Sequence, residues 1–258
     1  MSPGLAWPFV LGCFGAFVAG VAKTGVPGLG ILTAPLFALL LPARESVGVV
    51  LLILICADLV AVASYPRDAD WRTILRLAPW ALVGIGIGWF GLQRLDEPQI
   101  RRLIGAILVP MVALAIRRRR IAAQGREDQP LPPAAAAPVG VVAGFTTMVA
   151  NAAGPVMVLY LLAMRLAKAR YLATSAWYFF LLNWVKVPFG VTAGAIGEAT
   201  LRQAVAFFPA AIAGGLVGRR IARRIPQAVF ESTALALTAV SAVWLIVGGD
   251  ILAWIRSR

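Results

Sequence analysis

Apolar stretches succeed one another from Leu5 to Ile255, at about 5–22, 29–41, 46–65, 74–92, 99–116, 138–150, 155–164, 171–190, 201–218 and 228–247. A hydrocarbon core about 30 Å thick takes roughly 20 apolar residues per helical crossing. In lipid the backbone must satisfy its own hydrogen bonds, and a helix does so within one segment. The 258-residue chain is therefore read as an all-α polytopic membrane protein with no room for a soluble domain. The stretches allow about six to ten crossings. Charge agrees: 14% of residues are charged, where soluble domains carry about 25%. Residues 1–22 have no basic leading segment and are not expected to act as a typical cleaved signal.

Composition removes several chemistries. The chain has no histidine, so a His-based triad, a His metal site and a His proton relay are excluded. Cys13 and Cys56 lie far apart inside apolar stretches, which indicates neither a disulfide framework nor a zinc site. No P-loop motif is present, which argues against ATP drive by this chain. No cofactor is expected. The 24 basic side chains outnumber the 11 acidic ones, yet they fall almost wholly between apolar stretches. There they orient a membrane protein, so the expected surroundings are the lipid bilayer and no nucleic acid is expected as partner.

One linker is clear, residues 117–137, charged at first and then rich in Pro and Ala. It divides the chain into a first transmembrane repeat, 1–116, and a second, 138–258. A shift of 124 residues places Ala19-Gly20 on Ala143-Gly144 and Gly30 on Gly154; further along, a shift of 130 places Pro79, Gly84, Gly88 and Arg94 on Pro209, Gly214, Gly218 and Arg224. The order of features recurs as well: a Gly/Pro-broken hairpin or discontinuous helix, then three long transmembrane helices. With the linker cytoplasmic, the loops at 66–76, 117–126, 165–170 and 219–224 carry 15 basic residues and the opposite side carries 7. The positive-inside rule favours that orientation. Equivalent loops then fall on opposite sides of the membrane, the plan of inverted-topology repeats common in secondary transporters.

Two basic residues remain, Lys23 and Lys186, and hydropathy puts both inside the membrane. Lys23 stands at the first break, Ala22-Lys23-Thr24-Gly25-Val26-Pro27-Gly28-Leu29-Gly30; the second break reads Asn151-Ala152-Ala153-Gly154-Pro155. Proline removes a backbone donor and glycine favours bends. The stretches that follow are shorter than the bilayer core, so each break reads as a tip near mid-membrane, with a plain kink as the alternative. Irregular backbone at that depth is tolerated where it is buried in protein or lines a polar cavity. Short helices starting near Gly28 and Gly154 would aim free N–H groups at an anion. Lys23, Thr24, Gly25, Gly28, Asn151 and Gly154 are therefore candidate binding residues for a small anionic substrate.

A second unusual stretch supplies Phe179, Asn183 and Lys186 on one helical face. Asn183 and Lys186 join the candidate binding residues, because a charge deep in a span usually marks a pathway or a pair. The comparably placed acid is Asp58, a partner for either lysine or a carrier of a coupling proton.

The break at 25–30 followed by Thr33-Ala34-Pro35-Leu36, with its second copy at 151–155, resembles the TauE/SafE family of small anion permeases, the sulfite exporter-like proteins. The resemblance runs over most of the chain and implies transport of sulfite, organosulfonates or related sulfur anions across a bacterial inner membrane. The expected protein is a multi-pass secondary transporter and not an enzyme, and it is compatible with a homo-oligomer. The alternative reading is a transporter of another small organic anion or an amino acid. An intramembrane enzyme on lipid-linked phosphate stands further off, for want of general acid–base groups.

Overall fold

The computed structural model describes residues 3–92, 94, 96–123 and 131–256, and the described residues are helical apart from short turns. The helices are α1 (Pro3–Thr24), α2 (Thr33–Leu40, after a 3₁₀ turn Leu29–Leu32), α3 (Ala43–Ser64), α4 (Trp71–Leu92) and α5 (Glu97–Ala123) in the first half. The second half has α6 (Ala136–Ala150), α7 (Ala153–Ala163), α8 (Lys168–Thr192), α9 (Glu198–Arg224) and α10 (Gln227–Arg256). Each apolar stretch of the sequence thus becomes a helix. Among the described residues, five helices are long and apolar enough to cross a membrane: α1, α3, α4, α6 with the turn before it, and α9. Large apolar side chains such as Leu75, Trp80, Ile87 and Phe90 on α4 point outward, as a lipid-facing surface requires.

Helix α5 runs past the end of the apolar pattern at Ile116 and into the segment read as linker. Arginine and alanine are strong helix formers, so Arg117–Arg120 and Ala122–Ala123 continue the helix that the apolar residues begin. Most of the linker that follows, 124–130, lies outside the described residues.

The two halves exchange partners. Helix α1 packs along α9, and its counterpart α6 packs along α4, the counterpart of α9. Glycine sets both crossings. A Cβ added to Gly20 would run into the Ala211 carbonyl, and one added to Gly144 would run into that of Ala81. Gly214 meets the Phe17 carbonyl where Gly84 meets that of Val141, and Gly218 meets the Val21 carbonyl where Gly88 meets that of Phe145. These are the same contacts under the shifts of 124 and 130 found in the sequence. Small residues let backbones approach closely where lipid gives helices no hydrophobic reason to associate.

Among the described residues, two apolar cores result. One gathers α1, α2, α3 and α9 around Phe37, Val50 and Ile53. The other gathers α4, α5, α6, α7, α8 and α10 around Leu77, Ile104, Met157 and Tyr171. Helices α3 and α8, one from each core, cross at the seam between them. A shift of 125 superposes the starts of α3 and α8, Ala43 on Lys168, and also places Asp58 on Asn183.

Candidate functional site

The chain breaks where the sequence loses its helix-forming residues. After α1 ends, Gly25 and Val26 direct their N–H groups to the Val21 carbonyl, at 2.9 and 3.1 Å, and Gly28 turns the chain at φ 97°. Only glycine adopts that conformation easily, and a Cβ there would press on Leu237. The chain re-enters helix through a 3₁₀ turn, and α2 proper begins at Thr33 rather than near Gly28 as expected. The second break is tighter. Asn151 caps α6 in the left-handed region at φ 52°, its N–H bonded to the Thr147 carbonyl at 3.1 Å. Asparagine tolerates that region better than most residues. Helix α7 then starts at Ala153, and the first N–H groups of a helix have no partner inside it.

Both breaks open onto one cavity of about 70 Å³. Pro27, Gly28 and Gly30 line it from the first break, and Asn151, Gly154 and Pro155 from the second. A Cβ on Gly154 would meet nothing within 4 Å, so that glycine faces open space. Helix α8 contributes a wall of Tyr171, Ser175, Phe179 and Asn183, repeating about once per turn.

A buried polar chain crosses the seam beside this cavity. The Lys23 ammonium lies 2.7 Å from Asp58 Oδ1, and Asp58 is fully buried. Asn183 Nδ2 donates to Asp58 Oδ2 at 2.6 Å. Lys186 Nζ donates to Asn183 Oδ1 at 3.3 Å, to Thr147 Oγ1 at 3.2 Å and to Asn151 Oδ1. Lys23 also stands over the Phe179 ring, 4.0 Å from its centre. The chain therefore runs from the first break through α1, α3 and α8 to the second. Breaking a buried pair such as Lys23–Asp58 by removing one partner costs about 3 to 5 kcal/mol.

Among the expected residues, Lys23, Gly28, Asn151, Gly154 and Asn183 line the cavity. Lys186 reaches it through Asn151 and Thr147, and Asp58 pairs with Lys23 directly and with Lys186 through Asn183. Thr24 and Gly25 are not part of the lining. The Thr24 hydroxyl is shared between the carbonyls of Gly20, at 3.0 Å, and Gly215, at 2.7 Å, and its own carbonyl accepts from Tyr65 at 2.8 Å. Gly25 rests on the backbone of Gly218. Both belong to the α1–α9 crossing, because each step along a helix turns the side chain by about 100° and carries them off the face that holds Lys23. Sequence reasoning did not single out Thr147, Tyr171 or Ser175. Thr147 had a signal, since the shift of 124 sets it opposite Lys23.

The family model described as "Sulfite exporter TauE/SafE" matches residues 10–245. No curated protein and no solved structure matches the chain. A match over nearly the full length, on an all-helical chain with spans of membrane-crossing length, places this protein in the TauE/SafE sulfite exporter family of membrane anion transporters.

Proposed function

We propose that the chain is a secondary transporter that moves a small sulfur-containing anion, sulfite or an organosulfonate, across the bacterial inner membrane. Its site is exposed alternately to either side by two halves of inverted topology. The observation that carries this reading is a charge excess beside the cavity. With all three groups ionised, Lys23, Lys186 and Asp58 sum to +1, and Asp58 is committed to Lys23. Among the described residues, the hydrogen-bond partners of Lys186 are neutral oxygens, those of Thr147, Asn151 and Asn183. A buried ammonium without a counter-ion is costly in a low-dielectric interior, and a small anion in the cavity supplies the missing charge. The amino-terminal end of α7, which opens on the same cavity, adds backbone donors and a positive dipole end.

The exchange of partners between α1–α9 and α6–α4 supports two equivalent halves, and an odd number of crossings in each would turn one half over relative to the other. The basic residues of the loops favour a cytoplasmic linker. Alternating access then needs no third body: the core of α1, α2, α3 and α9 rocks against the core built on α4 to α8 and α10, about the seam where α3 and α8 cross.

Isotope-traced sulfite uptake into liposomes holding the purified protein tests the reading, with taurine, sulfoacetate, sulfate and an amino acid mixture as competitors. Saturable sulfite uptake that the sulfonates inhibit is expected. Uptake inhibited by amino acids alone would move the substrate to another class. A conductance without saturation would make the protein a channel.

A further inference from the structure

The two carboxylate oxygens of Asp58 serve different partners. Oδ2 accepts from Asn183, whose amide is held in that orientation because its own oxygen accepts from Lys186. Oδ1 faces the Lys23 ammonium at 2.7 Å and, among the described residues, has no hydrogen-bond partner besides that ion-pair contact. One oxygen of a fully buried acid is thus left to one cation, and that cation is also part of the cavity wall. The charged groups that face Asp58 are Lys23 from α1 and Lys186 from α8. Helix α2 has no titratable side chain, and α9 carries its charges near its two ends, at 198–202 and 219–224.

Resting on the anion site described above, we propose that Asp58 and the transported anion compete for the Lys23 ammonium, so that anion binding is linked to protonation of Asp58. The Lys23 ammonium passes one proton to Asp58 Oδ1, 2.7 Å away, and the amine left behind takes up a proton from the bulk solvent, relayed by cavity water that is itself re-formed, so no hydroxide remains. The balance is one proton taken up. Asp58 becomes a neutral carboxyl that still accepts from Asn183 at Oδ2, and Lys23 is a cation again, freed of its counter-ion. The Phe179 ring holds the freed ammonium at the cavity edge through its face. The local charge rises from +1 to +2, and the anion meets a cation that no carboxylate is neutralising.

Reciprocity fixes the direction of the effect: if protonation of Asp58 strengthens anion binding, the bound anion strengthens proton binding by the same factor. Affinity for the anion then falls as pH rises through the titration of Asp58, approaching about tenfold per pH unit for one linked proton. A proton and an anion that favour each other's binding travel in the same direction. Asn183 is the positioning residue of this device, since it occupies Oδ2 and confines the competition to Oδ1.

Titration calorimetry of sulfite into the full-length protein, in buffers of different ionisation enthalpy from pH 5 to 9, counts the protons taken up per anion bound. Wild type should take up protons beyond those that sulfite binds by itself. Asp58→Asn should show the proton count of sulfite alone and bind sulfite at pH 9 at least about tenfold more tightly than wild type. Asp58→Glu keeps the acid and should retain the extra uptake, which keeps the proposal exposed if the Asn variant does not fold. Wild-type binding with sulfite's own proton count at every pH overturns the linkage and leaves the anion site standing. Failure of wild type to bind either sulfite or taurine at any pH overturns the anion site, and this inference with it.

Discussion

Lys23→Ala should weaken sulfite binding by about 10- to 150-fold, the equivalent of losing one charge-assisted hydrogen bond of about 1.5 to 3 kcal/mol. Two effects act together. The substitution removes the cationic member of the cavity wall, and it leaves Asp58 ionised and unpaired beside the site, so that the local sum falls from +1 to 0. The stranded carboxylate should also destabilise the fold by about 3 to 5 kcal/mol. The double variant Lys23→Ala/Asp58→Asn separates these consequences. It should recover much of the stability, with sulfite binding still weaker than in Asp58→Asn alone. Lys23→Arg should rescue binding only in part, because a planar fork does not replace a compact ammonium between Asp58 and the Phe179 ring. Binding by calorimetry and thermal unfolding in detergent check the two effects. Unchanged affinity in the Ala variant would remove Lys23 from the site.

The second large effect is on stability. Gly144→Val should destabilise by about 3 kcal/mol or more, at the upper end of overpacking costs, and Gly20→Val should do the same. The obstructing atoms are the backbone carbonyls of Ala81 and Ala211. No rotamer change can move them, so α6 must part from α4, or α1 from α9. Gly86 is the internal control, since a Cβ there meets nothing within 4 Å. Gly86→Ala should be neutral or raise stability by up to about 1 kcal/mol, the helix-propensity difference. Equal thermal stability of Gly144→Val and wild type would show that the paired crossings do not hold the halves together.

Much of the fold was legible because lipid makes apolar length a direct report of helix position. The stretches at 46–65, 74–92 and 171–190 lie within α3, α4 and α8 almost end to end. The short stretches at 29–41 and 155–164 gave the two breaks, since Pro27, Gly28, Gly154 and Pro155 cannot continue a helix freely. The end of α5 was not legible from hydropathy, because four arginines read as a loop by charge and as a helix by propensity.

The candidate site was legible by kind of residue and less so by direction. Lys23 and Lys186 stood out because charge inside a span is rare. Thr24 and Gly25 were drawn in by adjacency to Lys23, but helical rotation turns them toward α9. The Asp58–Asn183 contact joins residues on separate helices, and hydropathy holds no trace of which pair will touch. The repeat does hold one. At a shift of 125 the two fall on each other, and they touch where α3 and α8 cross. Every charged residue of the candidate site has a neutral counterpart in the other half: Asn183 for Asp58 and Ala61 for Lys186 at a shift of 125, and Thr147 for Lys23 at 124.

If the two breaks together hold one anion, selenite will mark the place. Selenium is close to sulfur in size and gives an anomalous signal, and a background lacking Cys13 and Cys56 keeps selenite from oxidising thiols. Crystals of that protein grown with selenite should show one selenium peak in the cavity between Gly28 and Gly154, within hydrogen-bond reach of Lys23 and Asn151. A cavity without selenium, in crystals of a protein that carries sulfite across liposomes, would place the transported anion away from the two breaks.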